Sequence, residues 1–274
     1  MPAAKRAATF GPSFFLSLIP MSTTPKIALI TGGSRGLGRN TAQHLAASGH
    51  DIVLTYRTRA DEAQAAVAEV EALGRRAVAL PLDTSQVASF AAFAEALATE
   101  LRRHWQRDTF DFLINNAGID SRGMFAEMTE EAFDDLLNVH FKGVYFLTQK
   151  LLPLLADGGA IVNFSTGLAR FTVPGYSAYA AMKGAVETLT KYLAKELGGR
   201  GIRANVVAPG IIKTDFTKAA REAHPELEAY MSTQTALGRI GEPDDVGGVV
   251  AFLCSDAARW VNAQRIEASG GYSL

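Results

Sequence analysis

Apolar and polar residues alternate along this chain with two different spacings. Short apolar runs, such as residues 26–31 and 51–56, are typical of strands buried on both faces. Longer stretches, such as the Ala-rich residues 60–74, repeat their apolar positions every three or four residues, as one face of a helix does. The two patterns predict strands over 26–31, 51–56, 76–83, 110–118 (with its exit turn), 159–166, 202–210 and 263–271, and helices that end near 49 and cover 60–74, 86–105, 130–155, 176–198 and 243–256.

The order of these elements indicates an α/β fold. Strands that alternate with helices of ten or more residues form right-handed βαβ units, which give a parallel sheet with helices on both faces. No repeat, low-complexity tract or linker divides residues 26–274. We therefore predict a single doubly wound Rossmann-type domain with a seven-stranded parallel sheet.

The composition mainly excludes classes of partner and of structural site. The net charge of −1, with acids and bases interspersed, gives no sign of a nucleic-acid partner. Cys254 is the only cysteine, which excludes an intrachain disulfide and a zinc cluster and fits a cytoplasmic protein. No segment is long and apolar enough to cross a bilayer. Residues 1–25, whose apolar run is too short for a secretory signal, are predicted to be a disordered extension, with Met21 as an alternative start.

The sequence TGGSRGLG, residues 31–38, lies where the first strand turns into the first helix. Its glycines allow a tight turn and close approach of the backbone to a ligand, and the helix N-terminus behind them suits a pyrophosphate. A purely structural turn is the alternative, but the first βα turn of a doubly wound sheet is where dinucleotides bind. The candidate cofactor-binding residues of this loop are Gly32, Ser34, Arg35, Gly36, Leu37 and Gly38.

The end of the second strand bears on the choice between NAD and NADP. An acidic residue there would bind the ribose 2′-hydroxyl of NAD, whereas an arginine would accept the 2′-phosphate of NADP. No acid stands there, because Asp51 is at the start of the strand; Arg57 stands at its end and Arg35 lies in the glycine loop. Both could be ordinary surface arginines, but together they favour NADP(H) over NAD.

The stretch YAAMK places Tyr179 and Lys183 four residues apart on a predicted helix, and therefore on one face. They are either an exposed neighbour pair or a phenol whose pKa, ordinarily about 10, is lowered by the ammonium. The pattern alone proves little, although Tyr179 is the only one of seven tyrosines with lysine at this spacing. With the glycine loop in place, we predict that Tyr179 is a general acid and base and that Lys183 tunes it.

The motifs TGGSRGLG, NNAG (115–118) and YAAMK, in this order, resemble the short-chain dehydrogenase/reductase family, close to its 3-ketoacyl-carrier-protein-reductase-like members. The similarity runs over about residues 26–274. It implies hydride transfer between NAD(P)H and a carbonyl or alcohol in a homotetramer or homodimer, with Lys183 also holding the nicotinamide ribose. The further cofactor contacts that it implies are Asp83 and Thr84 at the adenine, Asn115, Ala117 and Gly118 at the adenosine ribose, and Pro209, Gly210, Ile212 and Thr214 at the nicotinamide end.

The chain departs from this family at two positions, the first of which is Thr166. It stands thirteen residues before the tyrosine, where the family usually has serine, and Ser165 precedes it. Because strand neighbours point to opposite faces, we expect Thr166 rather than Ser165 to donate to the substrate oxygen, with its extra methyl group crowding the pocket. A threonine that merely suits a strand end is the alternative.

The second departure is His140, which stands where the family's helix carries its catalytic asparagine. Asn138, two residues earlier, faces elsewhere on a helix. In the family, a backbone carbonyl near that asparagine holds a water that relays protons to the lysine. His140 therefore preserves the helix distortion and the water, joins the relay with its own ring, or is a packed residue with no part in the chemistry.

These residues predict an NADPH-dependent carbonyl reductase, reversible as an alcohol dehydrogenase, that acts on a small molecule. Residues 211–240 are predicted to cover the substrate as a lid, and within them 216–231 have helical spacing. Phe216, Leu227 and Met231 are either contacts for a partly apolar substrate or packing residues. Two alternatives remain open: a dinucleotide-binding sensor with little turnover, and an NAD-dependent enzyme acting on a sugar or steroid alcohol.

We predict that Arg57→Ala raises the KM for NADPH far more than the KM for NADH, because the guanidinium would bind the 2′-phosphate that only NADPH carries. Steady-state kinetics with both cofactors measures the two changes. An equal change in both would remove the phosphate role of Arg57.

Overall fold

The computed structural model describes residues 24–223 and 225–274. The predicted disordered extension, residues 1–25, lies outside these residues except for Thr24 and Pro25. Across the described ranges, no helix combines the length and apolar character that a membrane span requires.

Strands and helices alternate along the chain. The strands are β1 Ile27–Ile30, β2 Asp51–Tyr56, β3 Ala77–Pro81, β4 Phe110–Asn115, β5 Leu155–Phe164, β6 Arg203–Pro209 and β7 Arg265–Ala268. The helices are α1 Gly36–Ala47, α2 Ala60–Ala72, α3 Phe90–Trp105, α4 Glu130–Leu137, α5 Gly143–Leu151, α6 Ser177–Glu196, α7 Asp215–Ala223, α8 Pro225–Thr233 and α9 Asp244–Cys254. Helix α3 illustrates the helical pattern, since Phe93, Leu97 and Leu101 recur every fourth residue and are all buried.

The seven strands of the described residues form one parallel sheet in the order β3-β2-β1-β4-β5-β6-β7, which confirms the predicted fold. The connections run one way from β1 to β3 and the other way from β4 to β7. The direction therefore reverses between β1 and β4, and a crevice opens at their carboxyl ends. Ile30 pairs with Leu54 on one side and Ile114 on the other, which brings the loops after β1, β2 and β4 to the same edge of the sheet.

Each face of the sheet has its own hydrophobic core. In β1, Ala28 and Ile30 face the cluster that includes α1, α2 and α9, whereas Ile27 and Leu29 face the cluster that includes α3 and α5. All four side chains are fully buried. This explains why the strand is apolar at every position, as expected for a parallel sheet covered on both sides.

Asp51 lies at the start of β2, at the sheet edge opposite the crevice. Its carboxylate accepts bonds from Arg75 Nε at 2.9 Å, from the backbone N–H of Arg76 at 3.0 Å and from Trp105 Nε1 at 2.8 Å. These bonds tie β2, β3 and α3 together, and they give Asp51 a structural role at the edge of the sheet opposite the crevice.

The structure differs from the predicted elements in two places. The helix predicted over 130–155 is divided by a π-helical turn, Asn138–Lys142, between α4 and α5. Strand β5 begins at Leu155 rather than at 159, because Leu155 already pairs with Phe110 before a register shift in β4. A Cβ on Gly159 would collide with the carbonyl oxygen of Asp111, so glycine permits this irregular pairing.

Candidate active site

The glycine loop after β1 combines left-handed backbone with close packing. Gly32 and Gly36 have φ of 65° and 53°, a region that favours glycine. A Cβ on Gly38 would collide with the carbonyl oxygen of Gly32. Ser34 is buried and Leu37 packs on the core. Helix α1 begins here without a side-chain cap and without an acid in its first turn, so its N–H groups and positive dipole end remain for an anion.

Two residues that the sequence patterns did not single out hold this loop in place. The Thr31 hydroxyl accepts bonds from the backbone N–H groups of Asn116 and Ala117, each at 3.0 Å. The Asn116 side chain donates to the carbonyls of Thr31 and Gly32 at 2.9 and 3.1 Å. These bonds join the ends of β1 and β4 across the crevice. Both lie inside the quoted motifs, Thr31 as the first residue of TGGSRGLG and Asn116 as the second asparagine of NNAG, but neither was assigned a role.

The two arginines predicted to bind a 2′-phosphate lie beside this loop. The N–H of Gly33 donates to the carbonyl of Thr55 at 2.9 Å, so the loop contacts the end of β2 two residues before Arg57. Arg57 is exposed, and in the described part of the chain its guanidinium has no ion-pair partner. Arg35 lies 3.9 Å from the Asp215 carboxylate, a long pair between two exposed side chains. Both guanidiniums are therefore available to a solvent-facing anion.

Asp83 and Thr84 follow β3 near the same edge. The Asp83 carboxylate accepts bonds from the backbone N–H of Ser85 at 2.9 Å and from its hydroxyl at 2.7 Å. A Cβ on Gly143 would collide with the carbonyl oxygen of Thr84, so the start of α5 packs directly against this loop. The loop is thereby fixed from both sides.

The side chain of Asn115, at the end of β4, bonds to other buried side chains. Its amide donates to the Thr148 hydroxyl at 3.0 Å and to Asn163 Oδ1 at 2.8 Å. Asn163 donates in turn to the Thr190 hydroxyl at 2.9 Å. All four side chains are buried, and together they join β4, α5, β5 and α6. Asn115 therefore supports the sheet. Both N–H groups of its side-chain amide donate to protein groups, so neither is left to donate to a ribose.

Thr166 and Tyr179 meet beyond the carboxyl end of β5. The Thr166 hydroxyl is hydrogen-bonded to the Tyr179 phenol and accepts a bond from the backbone N–H of Leu168 at 3.3 Å. The Ser165 hydroxyl points elsewhere and donates to the Glu187 carboxylate at 2.6 Å. The expected alternation of neighbouring side chains is thus present, and only Thr166 is beside the phenol.

Lys183 lies behind the phenol. Its ammonium donates to the Phe164 carbonyl at 2.8 Å and lies 5.8 Å from the centre of the Tyr179 ring. Burial lowers the pKa of Lys183 to about 8. Burial also raises the pKa of Tyr179, with a further rise from Asp120, and the bond to Thr166 opposes these effects. The expected lowering of the Tyr179 pKa by Lys183 is therefore not found in the protein alone, because removal of the phenolate from water dominates.

The stretch that follows β6 crosses from the last strands to the glycine loop. Pro209 and Gly210 end the strand, and Ile212 is buried. Thr214 reaches the loop, since a Cβ on Gly36 would lie 3.8 Å from the Thr214 side chain. The residues predicted at the two ends of the dinucleotide are thus brought to one crevice.

Helices α7 and α8 occupy the region predicted to be a lid. The ammonium of Lys213 lies 3.0 Å from the Glu228 carboxylate and 3.3 Å from that of Glu242. These ion pairs are partly exposed and contribute little stability. The side chains of Leu227 and Met231 are half-buried, while that of Phe216 falls outside what the structure describes.

The chain resembles known proteins over nearly all of its described length. A family model described as enoyl-(acyl carrier protein) reductase matches residues 32–273. An uncharacterized oxidoreductase of Methylorubrum extorquens is 39% identical over 246 residues, which cover 90% of this chain and 97% of the relative. The 3-oxoacyl-[acyl-carrier-protein] reductase FabG of Staphylococcus aureus is 36% identical over 248 residues, again 90% of this chain and 97% of the relative.

A solved structure gives the same result. The angucycline C-6 ketoreductase LanV with bound NADP superimposes with a TM-score of 0.86 at 35% identity, covering 92% of this chain and 96% of that chain. The chain belongs to the short-chain dehydrogenase/reductase family. It is therefore an oxidoreductase, and the resemblance drawn from its three motifs is confirmed.

Within this short-chain dehydrogenase/reductase, His140 lies in the π-helical turn between α4 and α5, so the helix distortion is present. Its Nε2 lies 2.9 Å from the carbonyl oxygen and 3.3 Å from the backbone nitrogen of Ile119, and the shorter contact indicates a proton on Nε2. Nδ1 is buried and has no hydrogen-bond partner among the described residues. The ring stands edge-on to the Tyr179 ring at 5.0 Å, and a Cβ on Gly118 would approach its Cε1 to 2.9 Å.

Burial, with the nearby Lys183 charge, lowers the pKa of His140 to about 3. The ring is therefore neutral near pH 7. This argues against a role in which His140 carries a proton as an imidazolium, and it favours a role in shaping the helix and the loop at Ile119.

We predict that His140→Asn weakens the pH dependence of the unfolding free energy between pH 6.5 and 4. In the unfolded chain His140 binds a proton below pH 6.5, whereas in the folded protein it does so only near pH 3. Acid therefore favours unfolding of the wild type, by up to about 1.4 kcal/mol per pH unit from this residue. Urea unfolding of both proteins at several pH values measures the difference.

The pKa of His50 is also lowered by burial, but this residue is common to both proteins and cancels from the comparison. If the unfolding free energies of the wild type and His140→Asn depended on pH in the same way, a neutral, buried His140 would be contradicted. The same variant should keep its activity if the ring only shapes the helix, and a folded but inactive variant would show that His140 takes part in the chemistry.

Proposed function

We propose that this protein is an NADP(H)-dependent carbonyl reductase that also oxidises the corresponding secondary alcohol. The observation that carries the proposal is the hydrogen-bonded pair of the Thr166 hydroxyl and the Tyr179 phenol at the crevice, with the Lys183 ammonium 5.8 Å from the phenol ring. Two adjacent hydroxyls can bind one carbonyl oxygen, and the phenol, which is the more acidic of the two, can be tuned by a nearby cation.

The chain's own residues fit NADP(H). The uncapped start of α1 would hold the pyrophosphate, and the exposed guanidiniums of Arg35 and Arg57 would hold the 2′-phosphate. The NADP bound to LanV, which this chain matches over 92% of its length, supports the same choice. When bound, the reduced nicotinamide supplies the hydride that adds to the carbonyl carbon.

Thr166 and Tyr179 have different roles at the substrate oxygen. Thr166 donates a hydrogen bond that polarises the carbonyl and fixes its position. Tyr179 donates its phenolic proton to the oxygen as negative charge develops during reduction, and takes it back during oxidation. The methyl group of Thr166 narrows the space next to that oxygen and thereby favours carbonyl groups with a small substituent on that side.

Lys183 has two tasks in this scheme. Its bond of 2.8 Å to the Phe164 carbonyl holds the ammonium close to the phenol. In its protonated form it stabilises the phenolate left after proton transfer. Because burial lowers its pKa to about 8, this support is complete below that pH and declines above it. The positive charge of a bound oxidised nicotinamide would act in the same sense.

The proposed reductase activity is tested most directly by mixing purified protein and NADPH with a panel of ketones, ketoesters and quinones. Loss of the NADPH absorbance that depends on the added carbonyl compound supports the proposal. Tight NADPH binding without turnover across the panel would instead favour a dinucleotide sensor.

We predict that Tyr179→Phe lowers kcat by roughly 10²- to 10⁴-fold, the usual contribution of a positioned acid or base, while NADPH binding is retained. The phenylalanine keeps the ring that packs on His140 and removes only the hydroxyl. Tyr176→Phe is the matched control, because that ring lies 6.5 Å from the Tyr179 ring and has no assigned role in proton transfer. Unimpaired turnover in Tyr179→Phe would refute the mechanism.

We further propose that the protein is a homo-oligomer, a homodimer or homotetramer, as is usual for the family. An exposed aromatic patch on α5, where the Tyr145 and Phe146 rings lie 5.1 Å apart, supports this, as do the exposed rings of Phe133 on α4 and Tyr192 on α6. Such patches mark association surfaces, and symmetric assembly is the usual way in which a chain covers its own. Analytical ultracentrifugation of the wild type and of Tyr145→Asp should show the assembly and its loss; a monomeric wild type would contradict it.

A further inference from the structure

A row of polar and charged side chains leads away from the proposed active site. We call it the charged chain, and it consists of Ser165, Glu187, Arg265, Glu267 and Arg170. Neither the motifs nor the proposed mechanism uses its members. It begins at β5, next to Thr166, passes through α6 and β7, and ends at the last residues of the chain.

Arg265, on β7, is the centre of the charged chain. Its Nε donates to the Glu187 carboxylate at 2.7 Å, and its Nη1 donates to the Glu267 carboxylate at 2.8 Å. Its Nη2 donates to the backbone carbonyl of Thr166 at 3.0 Å. One planar guanidinium therefore binds three groups, and two of them lie on the elements that carry the proposed catalytic residues.

Glu187 connects this centre to both of those elements. It stands on α6, eight residues and about two turns beyond Tyr179. The carboxylate oxygen that binds Arg265 also accepts the 2.6 Å bond from the Ser165 hydroxyl. The position of α6 relative to the end of β5 is thus set by one carboxylate held between two donors.

The far end of the charged chain is anchored as well. Arg170 Nη2 donates to the Glu267 carboxylate at 2.8 Å and to the Tyr272 carbonyl at 2.7 Å, and its Nη1 donates to the Ser273 carbonyl at 3.0 Å. The arginines on either side keep the pKa of Glu267 at about 2, so this carboxylate stays charged. Arg265 is therefore held on both sides by carboxylates, those of Glu187 and Glu267.

These contacts differ from ordinary surface ion pairs. The side chains of Arg265 and Glu187 are only 23% and 20% exposed, so water screens their interaction weakly. A guanidinium has the planar fork of donors that three acceptors at fixed angles require, whereas an ammonium does not. The contact with Thr166 is made through its backbone carbonyl, which leaves the hydroxyl free to bind Tyr179.

We propose that Arg265 is a positioning residue, which holds the Thr166 hydroxyl in register with the Tyr179 phenol by binding the Thr166 carbonyl and Glu187 together. This inference rests on the proposed roles of Thr166 and Tyr179. Arg265 lies on the last strand, about a hundred positions along the chain from Thr166. In this proposal it controls the geometry of proton transfer.

The test compares Arg265→Met and Arg265→Lys with the matched control Arg107→Met. Arg107 also binds a carboxylate through two nitrogens, at 2.8 and 3.0 Å from Asp111, and the pair is similarly buried, with 22% and 15% exposure. It lies before β4, at the opposite edge of the sheet. Loss of either arginine should therefore destabilise the fold to a similar extent, but only Arg265 can affect the crevice.

We expect Arg265→Met to lower kcat by roughly 10- to 100-fold, the effect of displacing a reacting group by about 1 Å, without changing the dissociation constant of NADPH. Arg265→Lys should recover only part of the loss, because an ammonium lacks the fork. Arg107→Met should keep the wild-type kcat at a temperature where all variants are folded. Circular dichroism monitors folding, and the quenching of protein fluorescence measures NADPH binding.

A double-mutant cycle separates positioning from a general loss of stability. Thr166→Val should cost much less in the Arg265→Met background than in the wild type, since the hydroxyl is already misplaced there. Additive effects, or a kcat of Arg265→Met equal to that of Arg107→Met, would overturn the inference. If Arg265→Met does not fold, Glu187→Gln is used in its place, because it keeps the shape of the side chain and removes its charge.

Failure of this inference is distinguishable from failure of the proposed function. If the wild type does not reduce any carbonyl compound, the proposed function fails and the kinetic comparison has no baseline. If the wild type is active and Tyr179→Phe is not, but Arg265→Met resembles its control, only the positioning role is wrong.

Discussion

The proposed active site depends on how a buried phenol is kept next to a second hydroxyl. Burial raises the pKa of Tyr179 and so opposes the ionised form that proton transfer requires. The hydrogen bond to Thr166 opposes this rise, and in the proposed mechanism the ammonium of Lys183 would stabilise the phenolate. Both depend on geometry that other parts of the chain impose. The phenol is on α6, the threonine follows β5, and the lysine is held by the Phe164 carbonyl.

The sheet provides that geometry at two levels. Its parallel order reverses between β1 and β4, which opens a crevice where the loops of neighbouring strands converge. Buried polar bonds then fix each loop: Thr31 and Asn116 hold the glycine loop, and Asn115 joins β4 to β5 and α5. A parallel sheet with apolar cores on both faces is rigid, so small polar contacts at its carboxyl edge are enough to place reacting groups.

Several residues of the proposed site could be singled out from the sequence because their chemistry is local. A glycine at positive φ, as at 32 and 36, or a Tyr and Lys one helical turn apart can be recognised from sequence spacing alone. The alternation of strand neighbours correctly separated Thr166 from Ser165. The raised pKa of Tyr179 and the neutral state of His140 could not be predicted, because both follow from burial by segments far away in sequence. The spacing of apolar residues did not show the division of the helix at Asn138–Lys142, although the family resemblance had raised a helix distortion at His140 as one possibility.

The sequence by itself determined the alternation of strands and helices, the parallel sheet, the glycine loop and the identity of the Tyr179–Lys183 pair. These features depend on periodicity and short spacings, which the linear order of residues contains. Only the tertiary structure decided which groups Arg265, Glu187 and Asn116 bind, because their partners are brought together by the folding of distant segments. It also decided the charge states within the site, since desolvation is a property of the packed fold and not of any single residue.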